Sequence, residues 1–560
     1  MVKKIAFTFM MAHSVIFYAQ VFHSQEINLG VTESYGNFSA DGGSGVSFSD
    51  FNMDGKEDLT FSTEDGQDIL FYENKGGHYE LIQPSLVTNM HEGRQVLWID
   101  FDNDGDKDLL YATFGHGVYL YQNDGNMNLT DVTVSIGLHS NNDSVSGASF
   151  GDINNDGYLD LYLSNYDLPN KLYVFDGITF TDITDSSTTS NGIATSFCAS
   201  LFDFNNDGWL DIYVINDKIQ HPNALYMNLS NNQFVNVSVP SGSDLAIDAM
   251  NGGIGDFNQD GFFDVYVTDE HTSVLLENLG DNTFIDATIA TNTTFDRLGW
   301  GGNFFDFDND EDEDLYVSCG WTDTTNPSAL YVNDSSIFSE PLINSGGIAG
   351  SDTIGSFVNV IGDVNNDGLL DVVTGGRGGL PFRMFLNHDL SLNNFIKIDL
   401  VGVNSNRDGY GAIIDVRTGG VSRKILSLSA NAYLAQNSDY LHIGMGQSTT
   451  IDTMIIQWPF ANSIDTLTNN DLTLNKLNTV VEGNQNVVVE GLDLCIRDHI
   501  IYNNPIPSQI YVGANMVFAD TPLSVNSNVE FQSSNEIFLE PGFEVTLGTT
   551  FHAYYGTCQN

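Results

Sequence analysis

Seven short stretches of the chain repeat one arrangement of acidic and amide residues, and DFNNDGWLD, from Asp203 to Asp211, is representative. Aspartate stands at the first, fifth and ninth positions, aspartate or asparagine at the third, and glycine at the sixth in six copies. Ca²⁺ takes about six to eight hard oxygen ligands in a flexible cage. Side chains at these positions of a tight loop converge on one point, a backbone carbonyl at the seventh position can join them, and glycine permits the positive φ of the turn. The stretches therefore predict calcium-binding loops.

Four side chains in each of the seven loops are predicted ligands, and 23 of these 28 positions are aspartate. Placing three or four carboxylates so close together is unfavourable unless a cation offsets their repulsion. Metal-free Asx turns are the alternative, but they do not require an aspartate at the ninth position of every copy. Mg²⁺ fits less well because it tends to keep its waters. The predicted ligands are Asp50, Asn52, Asp54, Asp58, Asp100, Asp102, Asp104, Asp108, Asp152, Asn154, Asp156, Asp160, Asp203, Asn205, Asp207, Asp211, Asp256, Asn258, Asp260, Asp264, Asp306, Asp308, Asp310, Asp314, Asp363, Asn365, Asp367 and Asp371.

The sixth loop, DFDNDEDED, departs from the pattern because Glu311 replaces the glycine. A non-glycine residue there costs roughly 1 kcal/mol if φ stays positive. We therefore expect up to seven Ca²⁺ ions, with the site from Asp306 to Asp314 weaker, distorted or served by Glu311 itself.

The loops recur at steps of 50, 52, 51, 53, 50 and 57 residues between their first aspartates. A short strand pattern precedes each loop, an alternating strand such as DIYVIN follows it, and two further strand patterns complete the repeat. Asn, Asp and Gly turns between these runs are typical of hairpins. Four antiparallel strands in each of several radial repeats describe a β-propeller. The sequence predicts an all-β fold with a seven-bladed propeller over residues 25–392, in which strands rather than EF-hand helices flank the calcium loops.

The seventh repeat lacks a pattern for its fourth strand, because the composition changes at Asn393. The segment EINLGVTE, residues 26–33, looks like a fourth strand without the three that should precede it. We predict that it completes the last blade and closes the ring, which would remove its free edges.

The formal net charge is −56, from 18 basic and 74 acidic residues. This balance argues against nucleic acid and anionic membranes as partners, because both would repel the chain. Residues 1–24 begin with Lys3 and Lys4, continue with an apolar run and contain small residues near Ala19 and Ser24 that could be a cleavage site. This pattern is typical of a signal peptide. A buried N-terminal helix or strand is the alternative. No later segment is apolar for long enough to be a transmembrane helix. We expect a secreted or cell-surface protein.

The repeats resemble FG-GAP/VCBS repeats, the calcium-loop blades also found in integrin α-subunit propellers. The segment NNFIKIDLVGVNSNRDGYGAIIDVRTGG and the later SANAYLAQNSDYLHIGMG and IDTMIIQWP resemble the ASPIC/UnbV domain, with SNRDGYGA, Ser405 to Ala412, as the best marker. That domain accompanies such propellers in secreted bacterial proteins and in the cartilage acidic proteins. The resemblance implies an extracellular calcium-stabilised propeller followed by a small β-domain, residues 393–484, and implies no particular reaction.

Residues 485–560 form a last β-rich segment, in which LEPGFEVTLGTTFHA resembles small stacked β-modules of bacterial surface proteins; a plain β-stalk fits equally well. Cys495 and Cys558 bracket this segment and are candidates for a disulfide. Cys198 and Cys319 lie in apolar strand patterns, which favours buried thiols.

The sequence shows no signature of a catalytic nucleophile, a zinc protease or a phosphate-binding glycine loop. Blade topology places the calcium loops on one rim and less repetitive residues on the other, where aromatic and charged side chains suit a sugar or a partner protein. We expect a protein that binds, adheres or scaffolds through this second rim, with a glycan or a surface protein as its ligand. The alternatives are a polysaccharide lyase or hydrolase, and a purely structural spacer. The candidate ligand-rim residues are His91, Arg94, Tyr166, Asp217, Glu270, His271, Trp300, Trp321 and Arg377.

Overall fold

The computed structural model describes residues 22–24, 29–31, 43–76, 78–86, 91–138, 143–320, 328–339, 355–376, 382–387, 389, 391–460, 463–484, 487–489, 499–501, 510–518, 529–539 and 551–555. Residues 1–21 of the predicted signal peptide lie outside the described residues. So do Trp321 and Arg377 of the predicted ligand rim and the predicted disulfide partners Cys495 and Cys558. The described residues are nearly all β, which confirms the predicted fold class.

Seven antiparallel sheets follow the seven repeats, and we number them 1 to 7. After the N-terminal β1 (Phe22–Ser24), sheet 1 contains β2 (Val46–Ser49), β3 (Asp58–Phe61), β4 (Leu70–Asn74) and β5 (Tyr79–Ile82). After β6 (Ser85–Leu86), sheet 2 contains β7 (Gly93–Ile99), β8 (Asp108–Thr113), β9 (Gly117–Gln122) and β10 (Asn128–Asp131). Sheet 3 contains β11 (Val145–Gly151), β12 (Asp160–Leu168), β13 (Lys171–Phe175) and β14 (Phe180–Asp182).

Sheet 4 contains β15 (Ala194–Phe202), β16 (Asp211–Asp217), β17 (Ala224–Asn228) and β18 (Phe234–Asn236). Sheet 5 contains β19 (Ala249–Gly255), β20 (Asp264–Asp269), β21 (Val274–Asn278) and β22 (Phe284–Asp286). Sheet 6 contains β23 (Gly299–Phe305), β24 (Asp314–Cys319) and β25 (Ala329–Tyr331), followed by the hairpin of β26 (Asn333–Asp334) and β27 (Ile337–Phe338). Sheet 7 contains β28 (Ser356–Gly362), β29 (Asp371–Gly376) and β30 (Arg383–Asn387). One-turn helices follow sheets 3, 4 and 5, namely α1 (Thr184–Ser187), α2 (Ser238–Ser241) and α3 (Thr288–Thr291).

Each acidic loop connects the first and second strands of its sheet. The second strand always begins with the ninth residue of the loop, which pairs with the last residue of the first strand, as Phe202 pairs with Asp211 in sheet 4. The first strands are buried on both faces because neighbouring sheets cover them; all nine residues of β15 are buried, for example. The large apolar residue that lies two positions before each loop, such as Trp98, fills the space between sheets.

The first strands of the seven sheets form a closed ring. β2, β7, β11, β15, β19, β23 and β28 each contact the next strand in this order, and β28 contacts β2. Radially packed antiparallel sheets around a central axis are the arrangement of a β-propeller.

An N-terminal strand completes sheet 7, but it is not the predicted one. β1 pairs antiparallel with β30, so that Phe22 lies opposite Asn387 and Ser24 opposite Phe385. Within the predicted segment 26–33, the described residues 29–31 form a turn, and the Leu29 carbonyl accepts a hydrogen bond from Tyr79 of sheet 1. The predicted range was wrong, because Phe22, His23 and Ser24 show no strand alternation that could have marked them as the pairing segment. This strand also lies within residues 1–24, the range predicted as a signal peptide, so the end of that range conflicts with the structure.

A second domain follows the ring and consists of two four-stranded sheets that share one apolar core. Ile398, Ile414, Ile456 and Val480 are among its fully buried residues. Its strands are β31 (Asn394–Val401), β32 (Ile413–Thr418), β33 (Val421–Leu426), β35 (Leu441–Gly446), β36 (Thr453–Gln457), β37 (Ile464–Leu467), β38 (Leu477–Val481) and β39 (Val488–Val489). One sheet has the order β35-β31-β38-β39 and the other β33-β32-β36-β37.

Residues 429–440 of the second domain lie inside the ring, and we call them the plug. The plug contains β34 (Ala435–Gln436), which pairs parallel with β2 of sheet 1. Its polar groups bind the first strands of six sheets. The hydrogen-bond partners are Ser47 in sheet 1, Trp98 in sheet 2, Phe150 in sheet 3, Asn251 in sheet 5, Asn303 in sheet 6 and Ile361 in sheet 7. Tyr433 contacts the remaining sheet, since its ring centroid lies 5.2 Å from that of Phe197 in sheet 4.

The C-terminal segment contains a separate parallel sheet of four strands in chain order. They are β40 (His499–Ile501), β41 (Ile510–Phe518), β42 (Val529–Leu539) and β43 (Phe551–Tyr555). Successive parallel strands stacked in register are compatible with the predicted β-stack.

An asparagine at or just after the end of the third strand of most sheets joins neighbouring sheets. In sheet 5 it is Asn278, whose backbone N–H donates to Asp264 Oδ1 at 2.7 Å. Its Nδ2 donates to the carbonyl of Phe263 in the same sheet and to that of Phe204 in sheet 4, at 3.2 and 2.8 Å. Asn74, Asn228, Asn333 and Asn387 make the equivalent bonds to their preceding sheets.

We expect Asn278→Ala to lower the free energy of unfolding by about 1–3 kcal/mol, because two buried carbonyls lose their donor. Urea denaturation followed by tryptophan fluorescence measures the change. Asn404→Ala is the control: its exposed side chain should change stability by no more than about 0.5 kcal/mol. Equal stability of the Asn278 variant and the wild type would contradict a role of this residue in joining the sheets.

Candidate functional site

The seven acidic loops share one hydrogen-bonded geometry. The first aspartate accepts the N–H of the fifth residue on Oδ1 at 2.8–3.0 Å and the N–H of the sixth residue on Oδ2 at 2.7–3.1 Å. The sixth residue has a positive φ in every loop, from 81° at Gly55 to 99° at Gly105. Glu311 keeps this conformation with a φ of 87°, so the strain expected in the sixth loop is present. Its carboxylate accepts a hydrogen bond from Ser448 of the second domain at 3.2 Å.

The first and ninth aspartates of all seven loops are buried, whereas the fifth are partly or fully exposed. In loops 2 and 6, carboxylate oxygens of the first, third and ninth residues lie within 4.8 Å of one another; these are Asp100, Asp102 and Asp108, and Asp306, Asp308 and Asp314. Such clustering brings like charges together in a low-dielectric environment.

The pKa of the ninth aspartate is raised in all seven loops. Burial raises the pKa of Asp264 to about 9, and the charges of Asp256 and Asp260 add to the rise. Burial likewise raises the pKa of Asp58 well above its usual range, and the charge of Asp50 adds to the rise. The Oδ2 atoms of Asp58 and Asp264 are buried and accept no hydrogen bond among the described residues. All-oxygen donors with buried, unsatisfied carboxylate atoms fit a hard divalent cation such as Ca²⁺.

The fourth residue of each loop also shapes the site, although it is not one of the predicted ligands. It has a φ between 55° and 59° in all seven loops, without being glycine in any of them. In five loops its side-chain amide donates to the carbonyl of the sixth residue in the next loop; Asn155, for example, binds the Gly208 carbonyl at 3.0 Å. The other four are Asn103, Asn206, Gln259 and Asn309. The signal in the sequence is an amide side chain at this position in six of the seven copies.

The second domain covers the acidic rim and contacts the predicted ligands directly. The buried Lys397 ammonium lies 3.1 Å from Asp363 Oδ2 in loop 7 and 3.8 Å from Glu57, and Tyr440 donates to Asp50 Oδ2 in loop 1 at 2.7 Å. The Asp408 carboxylate accepts the N–H of Asp100 in loop 2 at 2.8 Å. The second domain therefore docks on some of the same aspartates that are predicted to bind calcium.

We expect Lys397→Met to lower the free energy of unfolding in EDTA by about 3–5 kcal/mol, because buried carboxylates lose their compensating charge. Urea denaturation in EDTA measures the loss without a divalent cation that would mask it. The control is Lys75→Met, since Lys75 is 43% exposed and its pair with Glu73 contributes at most about 1 kcal/mol. Equal effects of the two substitutions would show that Lys397 does not stabilise the docked domain through its charge.

A cavity of about 410 Å³ opens at the strand ends opposite the acidic loops. Five predicted rim residues line it: Arg94, Tyr166, Asp217, Glu270 and Trp300. Two further predicted residues lie outside its lining. His91 stacks on His116 with ring centroids 3.7 Å apart, and His271 lies beside Glu270 and Asp248.

Aromatic side chains from both domains form the cavity walls. Trp300 lies between Phe357 and Tyr433, at centroid distances of 4.4 and 5.4 Å. Tyr433 belongs to the plug and reaches the cavity from the second domain. Gly320 packs against the indole edge of Trp300, where a Cβ would approach it to 2.1 Å. Phe197 and Tyr433 were missed from the sequence, since nothing local marks them as neighbours of Trp300.

The charged groups of the cavity are mostly paired. Arg94 donates to the Gly43 carbonyl at 2.9 Å and pairs with Glu92 at 3.2 Å. Asp217 Oδ2 accepts from the Tyr166 hydroxyl at 3.0 Å and pairs with Lys218 at 2.5 Å. Asp217 Oδ1 is buried and has no hydrogen-bond partner among the described residues.

Both inner cysteines are buried, as predicted, and burial raises the pKa of the Cys198 thiol to about 12. Neither residue lines the cavity. None of the helices among the described residues is long or apolar enough to span a bilayer.

Comparison with known proteins identifies both parts of the chain. The family model of FG-GAP-like repeats matches residues 50–111, 100–163, 152–214, 203–267 and 256–317, and the model of the ASPIC and UnbV family matches residues 402–487. No curated protein is detectably similar in sequence.

Solved structures that match part of the chain include the Agrocybe aegerita lectin that recognises non-reducing terminal N-acetylglucosamine (16% identity, 56% of this chain and 84% of that chain, TM-score 0.39). The BP39L lectin from Burkholderia pseudomallei is 10% identical over 62% of this chain and 96% of that chain, with a TM-score of 0.40. Sqt1 from Saccharomyces cerevisiae is 14% identical over 59% of this chain and 80% of that chain, with a TM-score of 0.38.

The FG-GAP-like repeats indicate a binding or scaffolding β-propeller. The chain belongs to the FG-GAP-like repeat proteins that carry an ASPIC and UnbV domain.

Proposed function

We propose that the chain is an exported, calcium-loaded binding propeller, in which cations in the acidic loops hold the ring and the opposite rim binds the ligand. The buried and unsatisfied carboxylate oxygens of Asp58 and Asp264 support this most directly. Leaving a buried charged oxygen without a partner is strongly unfavourable. The first, third, fifth and ninth side chains of each loop would hold the ion.

Calcium explains the donor set better than other cations. The ligands are all oxygens, whereas transition metals favour nitrogen and sulfur. Mg²⁺ tends to keep several waters, whereas a loop that offers up to four side-chain ligands and a backbone carbonyl suits the larger Ca²⁺.

Export is inferred from the predicted signal peptide, with cleavage near Ala19 so that β1 is retained, and from the nature of the sites. Asparagine replaces aspartate at the third position of five loops, which reduces the ligand charge, and the fifth position is partly or fully exposed. Fewer ligand charges and greater exposure favour weak binding, with dissociation constants of about 10⁻⁴ to 10⁻³ M in extracellular modules. Such sites fill outside the cell and stay largely empty in the cytosol.

The ligand-binding rim follows from the arrangement of the two domains. The second domain covers the acidic rim, with Lys397 and Tyr440 against its loops. The opposite rim carries the cavity lined by Arg94, Asp217 and Trp300. A partner that binds this rim meets a surface whose backbone is fixed by the ring and the plug.

We expect calcium to raise the melting temperature strongly, since a ligand that binds only the folded state stabilises it by mass action. One site saturated at about 100 times its Kd contributes about 2.7 kcal/mol, and several equivalent sites add to this. Differential scanning calorimetry of the full chain in EDTA, in Mg²⁺ and in Ca²⁺ measures the effect. The largest rise should occur in Ca²⁺.

The double variant Asp58→Asn and Asp264→Asn is measured in the same three solutions. Because two buried charges are removed, its melting temperature in EDTA should be higher than that of the wild type. Its further rise in melting temperature on addition of Ca²⁺ should be smaller. Equal melting temperatures of the wild type in EDTA and in Ca²⁺ would rule out the proposed role of calcium.

A further inference from the structure

We propose that the cavity at the rim opposite the acidic loops binds the terminal ring of a neutral carbohydrate. The proposal rests on the proposed function in that it names the ligand class of the same rim. It is carried by the aromatic walls, by the unsatisfied buried oxygen of Asp217 and by the balance of charge inside the cavity.

The apolar lining of the cavity at this end of the propeller is mostly aromatic. Trp300, Phe197 and Tyr433 form one connected aromatic group with ring centroids 5.2–5.7 Å apart, and Tyr166 lies 5.5 Å from Phe197. A pyranose ring presents an apolar C–H face of similar size. Ligand pockets combine such apolar walls with a few fixed polar groups.

Asp217 supplies the fixed polar group. It is 2% exposed, and its Oδ2 is held by Tyr166 and Lys218. Its Oδ1 lacks a hydrogen-bond partner among the described residues, although the side chain lines the cavity. Sugar hydroxyls donate hydrogen bonds, so one hydroxyl can satisfy this oxygen. An unsatisfied buried carboxylate oxygen otherwise remains a cost to the folded protein.

The charges in the cavity favour a neutral ligand. Arg94 is paired with Glu92, and Lys218 is paired with Asp217, so neither cation is left to bind an anionic group. Glu270 contributes a further negative charge at the exposed edge. The whole chain carries a formal charge of −56, which repels sulfated and uronic-acid glycans as well.

Both domains contribute to the proposed site, because Tyr433 of the second domain lines the cavity. The plug holds it in place through a hydrogen bond from its backbone N–H to Asn251 Oδ1 at 2.6 Å. The propeller alone would lack this wall. The sugar-binding site therefore requires the docked second domain.

A glycan array that displays neutral, sialylated and sulfated glycans tests the proposal with the full chain in Ca²⁺. Glycans with neutral terminal sugars should bind. Isothermal titration with the methyl glycoside of the preferred terminal sugar then measures affinity. We expect Asp217→Asn and Trp300→Phe each to weaken binding about tenfold or more, through loss of a charged acceptor and of aromatic contact area.

The matched control is Asp185→Asn, an exposed aspartate of α1 that does not line the cavity and should leave affinity unchanged. Melting temperatures of all variants separate loss of binding from loss of folding. No binding of any neutral glycan would overturn the proposal, as would unchanged affinity of a folded Asp217→Asn variant. Either result would leave the calcium-dependent melting untouched, so failure of the ligand class is distinguishable from failure of the proposed function.

Discussion

The rest of the structure depends on the burial of two aspartates in each of seven loops. The first and ninth residues of every loop are at most 8% exposed, and their carboxylates are held close together at the ends of the first two strands. Backbone N–H groups satisfy part of each carboxylate, yet Asp58 and Asp264 keep an unsatisfied oxygen. Burial opposes the charged state, and proximity opposes it further. We propose that a cation between these carboxylates converts this cost into a stabilising contact.

The consequences of this constraint extend well beyond the loops. Amide side chains such as Asn155 and Asn206 join each loop to the next one, and asparagines such as Asn278 join the sheets beneath them. The second domain rests on the same rim through Lys397 and Tyr440. Its plug passes from that rim to the cavity, where Tyr433 forms a wall. A change in the loops is thus connected by direct contacts to the surface that we propose for ligand binding.

Much of the fold was predictable because its signals are local and repeated. Alternating strands, hairpin turns and the acidic pattern recur at each step, so the all-β class and the position of every loop followed from the sequence. The features that were not predicted depend on contacts between distant segments. Asn155 reaches Gly208 only because neighbouring loops abut, and residues 429–440 carry no local mark of a segment that enters a ring. The N-terminal strand was placed at 26–33 instead of 22–24, since alternation does not specify register across the closure.

The candidate cavity was partly anticipated because blade topology assigns loops to rims, and Tyr166, Asp217 and Trp300 line it. The presence of a cation between the buried aspartates remains the central claim, and an anomalous difference map from crystals grown in millimolar Ca²⁺ tests it most directly. We expect a peak between the first and ninth aspartates of the loops, with the weakest at Asp306 to Asp314. Well-ordered loops without any peak would contradict it.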